Sequence, residues 1–80
     1  MKKRNLIGER VRLARQLASP KITQLELSAR LQVQDVRIGD STVGKIENGT
    51  SAVTDIQLLA FSKALNVSVL WLLDIENHLD

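Results

Sequence analysis

The side chains of this chain that could do chemistry are hydrogen-bonding and cationic rather than nucleophilic. It contains no cysteine, and its one histidine, His78, lies near the C-terminus. No phosphate-cradling glycine loop and no cluster of carboxylates accompanies that histidine. No nucleophile–base pair and no set of metal ligands can therefore be assembled, so neither an enzyme nor a cofactor is expected. What the chain carries instead is unevenly spread charge. Lys2, Lys3, Arg4, Arg10, Arg12, Arg15 and Lys21 crowd the first quarter against Glu9 alone, whereas Asp55, Asp74, Glu76 and Asp80 outweigh Lys63 in the last third. The net charge of +2 conceals this asymmetry. It suits a polyanion met on one side of the molecule; the plainer reading is a solvated lysine-rich start.

Elements must hold those side chains in place, and they read as helices. Eighty residues with 44% hydrophobic and 25% charged side chains make one ordinary globular domain, taken as 1–80, with a core that must be efficient or shared. Leu6, Ile7, Val11, Ala14, Leu17 and Ala18 recur at helical steps, which predicts a first helix over about 5–18 with Asn5 as its cap and Ser19-Pro20 as its stop. Thr23-Gln24-Leu25-Glu26 has the form of a capping box for a helix over about 23–31, with Ile22 and Leu27 as its hydrophobic staple. Leu25, Leu27, Ala29 and Leu31 are its expected inward residues. Gln32 to Gly39 reads as a loop, with room for a brief extended segment at Val36-Arg37-Ile38. Asp40 or Ser41 is expected to cap a helix over about 41–47, with Val43 and Ile46 inward and Asn48-Gly49 as its stop. Thr54 or Ser51 opens a helix over about 54–65, with Ile56, Leu59, Ala60, Ala64 and Leu65 at helical spacing and Asn66 ending it. Ser68 caps the last helix, over about 68–76, whose residues Val69, Leu70, Trp71, Leu72, Leu73 and Ile75 are apolar nearly all round. The fold class is thus all-α: a compact bundle of about five short helices.

No apolar run approaches the roughly 18 residues that span a bilayer. The basic start Met1 to Asn5 lacks a following apolar region, because Gly8, Glu9, Arg10 and Arg12 interrupt it. A cytoplasmic protein without a membrane partner is expected.

Within this frame, Thr23 to Gly49 is the informative stretch: two short helices, a polar turn and an Asn-Gly stop, the layout in which a second helix enters the DNA major groove. The stretches RVRLAR (10–15), ITQLEL (22–27), KIENG (45–49) and ALNVSVLWLL (64–73) resemble, in order and spacing, the lambda-repressor-like (Cro and phage-repressor, XRE-type) helix-turn-helix family. The resemblance covers about Leu6 to Leu73. It implies that Gln24 contacts the DNA backbone and braces the reading helix, and that Ser41 and Thr42 face base edges, Ser41 serving equally well as a helix cap. It implies a groove- or phosphate-facing role for Lys45, otherwise a solvated lysine. It implies phosphate contacts for Asn48 and Thr50 beside Gly49, which also suit a helix stop. Arg15 and Glu47 match a structural ion pair of the family.

The chain departs from the family in four places, one of them being Ser19-Pro20, which lengthens the first turn. The turn from Gln32 to Asp40 is longer by several residues, as in a subset of the family. Asp40 stands at a DNA-facing position that often holds a cation or glutamine; a carboxylate is repelled by phosphate but accepts from cytosine N4. Gly44 replaces a common serine and weakens the helix. The expected function is a sequence-specific double-stranded DNA-binding regulator, a repressor acting as a homodimer through Leu70, Trp71, Leu73, Ile75 and Leu79, with no small-molecule ligand. For Trp71 itself, plugging the core is the better-founded role. The alternative is an antitoxin-like or adaptor module of the same fold that binds protein rather than DNA, favoured by Asp40 and Gly44.

Overall fold

Short-range hydrogen bonds mark where each helix starts and stops. The computed structural model describes residues 2–75. They form α1 (Gly8–Leu17), α2 (Gln24–Val33), α3 (Asp40–Glu47), α4 (Asp55–Leu65) and α5 (Val69–Leu72), with no strand among the described residues. The hydroxyls of Thr23, Thr54 and Ser68 accept from the N–H groups of Glu26, Gln57 and Trp71, satisfying one orphan donor at the head of α2, α4 and α5. The full reciprocal capping box belongs to Thr54 and Gln57. At Thr23 only the forward half forms, and the Glu26 carboxylate instead takes Arg30 at 2.9 Å.

One device ends four of the five helices. The residue after the last turn adopts a left-handed conformation, at Asp35 (φ 62°), Gly49 (φ 86°), Asn66 (φ 56°) and Asp74 (φ 58°). The following N–H then reaches back five residues: Val36 to Leu31 O, Thr50 to Lys45 O, Val67 to Ser62 O and Ile75 to Leu70 O. This is the Schellman motif, and Asp and Asn tolerate it because their short polar side chains lower the cost of the left-handed region. The motif at Asp74 stops α5 at Leu72, short of the expected 76; Glu76 lies outside the described residues.

The core is built from Ile7, Val11, Ala14, Ile22, Leu27, Leu31, Ile38, Val43, Ile46, Ala60, Phe61, Ala64, Leu65 and Leu72. Several expected inward residues are not in it. Leu6, Leu17, Leu25 and Ala29 are exposed. On α2 the inner stripe is Gln24, Leu27, Ser28 and Leu31, because Gln24 and Ser28 have polar partners inside. On α4, Ile56 and Leu59 face out, while Phe61 is fully buried. Apolar residues recur around most of that helix, broken by Asp55, Gln57, Ser62 and Lys63, so spacing alone does not choose its inner face. α1 begins at Gly8 rather than Asn5, and Asn5 caps it from outside: its Oδ1 accepts from the Ile7 and Gly8 N–H groups. The Ser19–Pro20 peptide, which follows α1, is cis.

Candidate nucleic-acid interface

α3 is held most firmly at its C-terminal end. Arg15 of α1 grips Glu47 with two parallel bonds, Nε to Oε2 at 2.6 Å and Nη2 to Oε1 at 2.8 Å. Its third bond, Nη1 to the Ile22 carbonyl at 3.0 Å, ties the α1–α2 linker to the same guanidinium. Gln24 of α2 adds Nε2 to Glu47 Oε1 at 3.2 Å. Glu47 is buried, and this fork satisfies both of its oxygens. The hydrogen bonds to Glu47 raise the Arg15 pKa over the opposing effect of burial.

Two further attachments fix the same end. The Asn5 amide donates to Ile46 O at 3.0 Å and to Ser51 O at 2.8 Å, while the Arg4 N–H donates to Gly49 O at 2.8 Å. Gly8 lets the start of α1 lie directly on the backbone here: a Cβ at Gly8 would stand 2.1 Å from the Ile46 carbonyl oxygen. The roles of Gly8 and Asn5 here escape sequence reading. The Asn5 bonds span more than 40 residues and leave no local pattern; the visible signal for Gly8 is a helix-weakening glycine in a first turn, which needs a packing reason.

The N-terminal end of α3 is built differently. Neither Asp40 nor Ser41 caps it. The N-cap is Gly39, without a side-chain bond, and Asp40 is the first helical residue, where its charge suits the positive end of the helix dipole. The lengthened turn comprises the residues between Val33 and Asp40, since α2 runs further than expected. It is pinned by the buried Ile38, by Ser28 Oγ donating to Ile38 O at 2.6 Å, and by Gln34 Nε2 donating to Ala60 O at 3.0 Å. Val36 packs against the core and Arg37 is exposed. No strand forms at Val36-Arg37-Ile38.

With Val43, Ile46 and Glu47 turned inward, the outer stripe of α3 is Ser41, Lys45 and Asn48, at helical spacing of four and three. Asp40 and Thr50 are also exposed, and Thr42 is half-buried. The Asn48 Oδ1 accepts from both the N–H and the hydroxyl of Thr50, which shapes the loop after the helix. Gln24 is half-buried against Glu47 and braces α3 from behind. The structure thus places Ser41, Lys45 and Asn48 on one outer stripe, leaves Asp40 exposed at the head of the helix and Thr50 exposed beyond its end, and sets Gln24 against Glu47 on the inner side.

Elsewhere, Trp71 is half-buried, with the Arg10 guanidinium 4.7 Å from its ring centre and Arg10 also paired with Asp74. Leu73 packs on the core, Leu70 and Ile75 are exposed, and Leu79 and His78 lie outside the described residues. Among the described residues no helix is long and apolar enough to cross a membrane. They contain no group of three or more potential metal-ligating side chains.

Comparison with known proteins agrees with this geometry. The family model described as helix-turn-helix matches residues 11–72, spanning α1 to α5. No curated protein and no solved structure matched the chain. A match over most of the chain, with α2 and α3 as the paired helices, shows that the protein belongs to the XRE, Cro and lambda-repressor-like family of DNA-binding helix-turn-helix domains.

Proposed function

We propose that the protein is a sequence-specific repressor that binds duplex DNA as a homodimer, with α3 in the major groove. The observation that carries this reading is the division of α3 into two faces. The inner face is clamped to α1 and α2 through Glu47, and the outer stripe of Ser41, Lys45 and Asn48 is open. Ser41 and Thr42 read base edges through their hydroxyls, and Lys45 meets a base or a phosphate. The Asn48 amide N–H donates to phosphate beyond the helix, and the exposed Thr50 joins it by turning its hydroxyl from Asn48 Oδ1 to the phosphate. Gln24 acts mainly by holding α3 in place, with its remaining amide N–H directed to the backbone. Asp40 tunes the reading: it discourages phosphate and accepts from cytosine. One reading helix covers too few base pairs, so two copies engage half-sites about one DNA turn apart. Exposed Leu70 and Ile75 supply part of the pairing surface. Repression follows from occupancy, since a bound dimer excludes other proteins from its site.

Selection of bound sequences from a random duplex pool tests this reading, followed by the same selection with Asp40→Ala and Lys45→Ala. A defined two-fold sequence is expected, with altered base preference for Asp40→Ala and weaker binding for Lys45→Ala. Binding to mixed duplex that is absent or insensitive to salt would overturn it in favour of the protein-binding adaptor. Sedimentation of the free protein showing only monomer at micromolar concentration would remove the homodimer.

A further inference from the structure

The basic N-terminal segment is not a free tail. The Arg4 N–H is bonded to Gly49 O at 2.8 Å, and the Asn5 amide is bonded to Ile46 O and Ser51 O. These bonds lay Lys2, Lys3 and Arg4 against the loop that follows α3. Together with Thr50 they line an open concavity of about 640 Å³. The Lys3 side chain covers Gly49 so closely that a Cβ there would stand 2.9 Å from Lys3 Cγ. Lys3 is paired with Glu9, whereas Lys2 and Arg4 are exposed and take part in none of the ion pairs among the described residues.

Free cations on a disordered tail would lose conformational freedom on binding. Here folding already pins the backbone at Arg4 and the side chain of Asn5, two and three residues from Lys2, so part of that cost has been met in advance. The loop they flank continues directly from the outer stripe of α3. We infer that Lys2 and Arg4, with Thr50, form a second anchoring site that grips two adjacent backbone phosphates of duplex DNA beyond the C-terminal end of the reading helix. The inference rests on the proposed DNA-binding function. A lysine and an arginine held off the reading helix, the arginine by its own backbone N–H, contribute position and affinity rather than base identity. Lys3 is held in reserve by Glu9: the carboxylate and a phosphate compete for the same ammonium group, and losing the carboxylate frees Lys3 for phosphate.

The test is an anisotropy titration of the full chain on one duplex at several salt concentrations. It compares the parent, the double variant Lys2→Ala/Arg4→Ala, Glu9→Gln and Lys63→Ala. Lys63→Ala serves as a control for loss of charge on α4. The double variant is expected to flatten the salt slope by about 1.8, roughly 0.9 for each cation withdrawn from phosphate. It should weaken binding by tens of fold at about 0.1 M salt, with unchanged base preference. Its melting temperature should hold, because Arg4 is clipped through its backbone N–H. Glu9→Gln should strengthen binding and steepen the slope. A double variant whose slope changes no more per charge than that of Lys63→Ala would overturn the inference while leaving DNA binding intact. A parent chain that does not bind duplex at all would remove the proposed function and the anchoring site together.

Discussion

The two ends of α3 are held by different physics. At the C-terminal end, α1, α2 and the N-terminal segment converge on Ile46, Glu47 and Gly49 through charge-assisted and backbone-directed hydrogen bonds, with no room left at Gly8. At the N-terminal end the helix has a glycine cap with no side-chain bond, and the preceding turn is anchored by the buried Ile38, by Val36 on the core, and by the Ser28 hydroxyl and the Gln34 amide. The difference separates two tasks. Hydrogen bonds with strict geometry fix where α3 stands, so changes at that end reach the whole domain. The N-terminal end, with Asp40, Ser41 and exposed Arg37, can change its side chains without disturbing what holds the helix.

The largest break in that comparison comes from Gly8→Ala. The new methyl group meets a backbone carbonyl at 2.1 Å, and neither α1 nor α3 can yield by moving a flexible side chain. The expected loss is roughly 3–5 kcal/mol, above the usual cost of overpacking, because backbone must shift. Chemical denaturation measures it. A variant within 1 kcal/mol of the parent (a rough threshold) would mean that the C-terminal end is far more compliant than its geometry implies.

Glu47→Ala comes next. It strands Arg15 and removes the partner of Gln24, at an expected cost of about 2–4 kcal/mol. The side chains of Arg15 and Glu47 are only 12% and 5% exposed, so solvent does little to replace the missing bonds. No base-specific effect should accompany it, since Glu47 faces away from the outer stripe of α3. A melt unchanged within error would show the pair to be incidental. A changed base preference at full stability would show that Glu47 shapes the reading face directly.

Much of this was legible in the residue order, and what escaped has a common cause. Caps at Thr23, Thr54 and Ser68 and the stops at Gly49 and Asn66 depend on neighbours in sequence, so local chemistry announces them. The inner faces of α2 and α4 do not depend on neighbours alone. Ser28 and Gln24 point inward because a carbonyl from the turn and a carboxylate from α3 await them, and polar residues there disguise the stripe. Phe61 is one of several large apolar residues on its helix, of which Ile56 and Leu59 turn outward, so spacing does not single it out. Asp35 and Asp74 end helices in a conformation more commonly taken by glycine, and their identity as stops appears only with the backbone. The same contrast holds at the candidate site. The exposed stripe of α3 follows from helical spacing, whereas the support from Asn5 and Gly8 is made entirely of long-range contacts.

The smallest effect tests the middle of α3, where the two ends meet. Gly44 weakens its helix relative to alanine by about 1 kcal/mol, so a close approach would be the natural reason to keep it. Within the chain there is no such reason. A Cβ at position 44 would lie 3.5 Å from the Gln24 amide nitrogen, an ordinary contact, and Gly44 is not among the positive-φ residues. Gly44→Ala is therefore expected to stabilise the domain by about 1 kcal/mol, on the order of 5 °C in Tm. Its effect on duplex affinity then sharpens the comparison. Unchanged affinity would make position 44 part of the mechanical half of α3, tuned by helix propensity alone. Weaker binding by a more stable protein would mean that the approach requiring glycine is made by DNA, extending the reading surface from Ser41 past the centre of the helix. A destabilised variant would contradict the geometry at Gln24 and show that the bracing at the C-terminal end reaches further along α3 than its hydrogen bonds suggest.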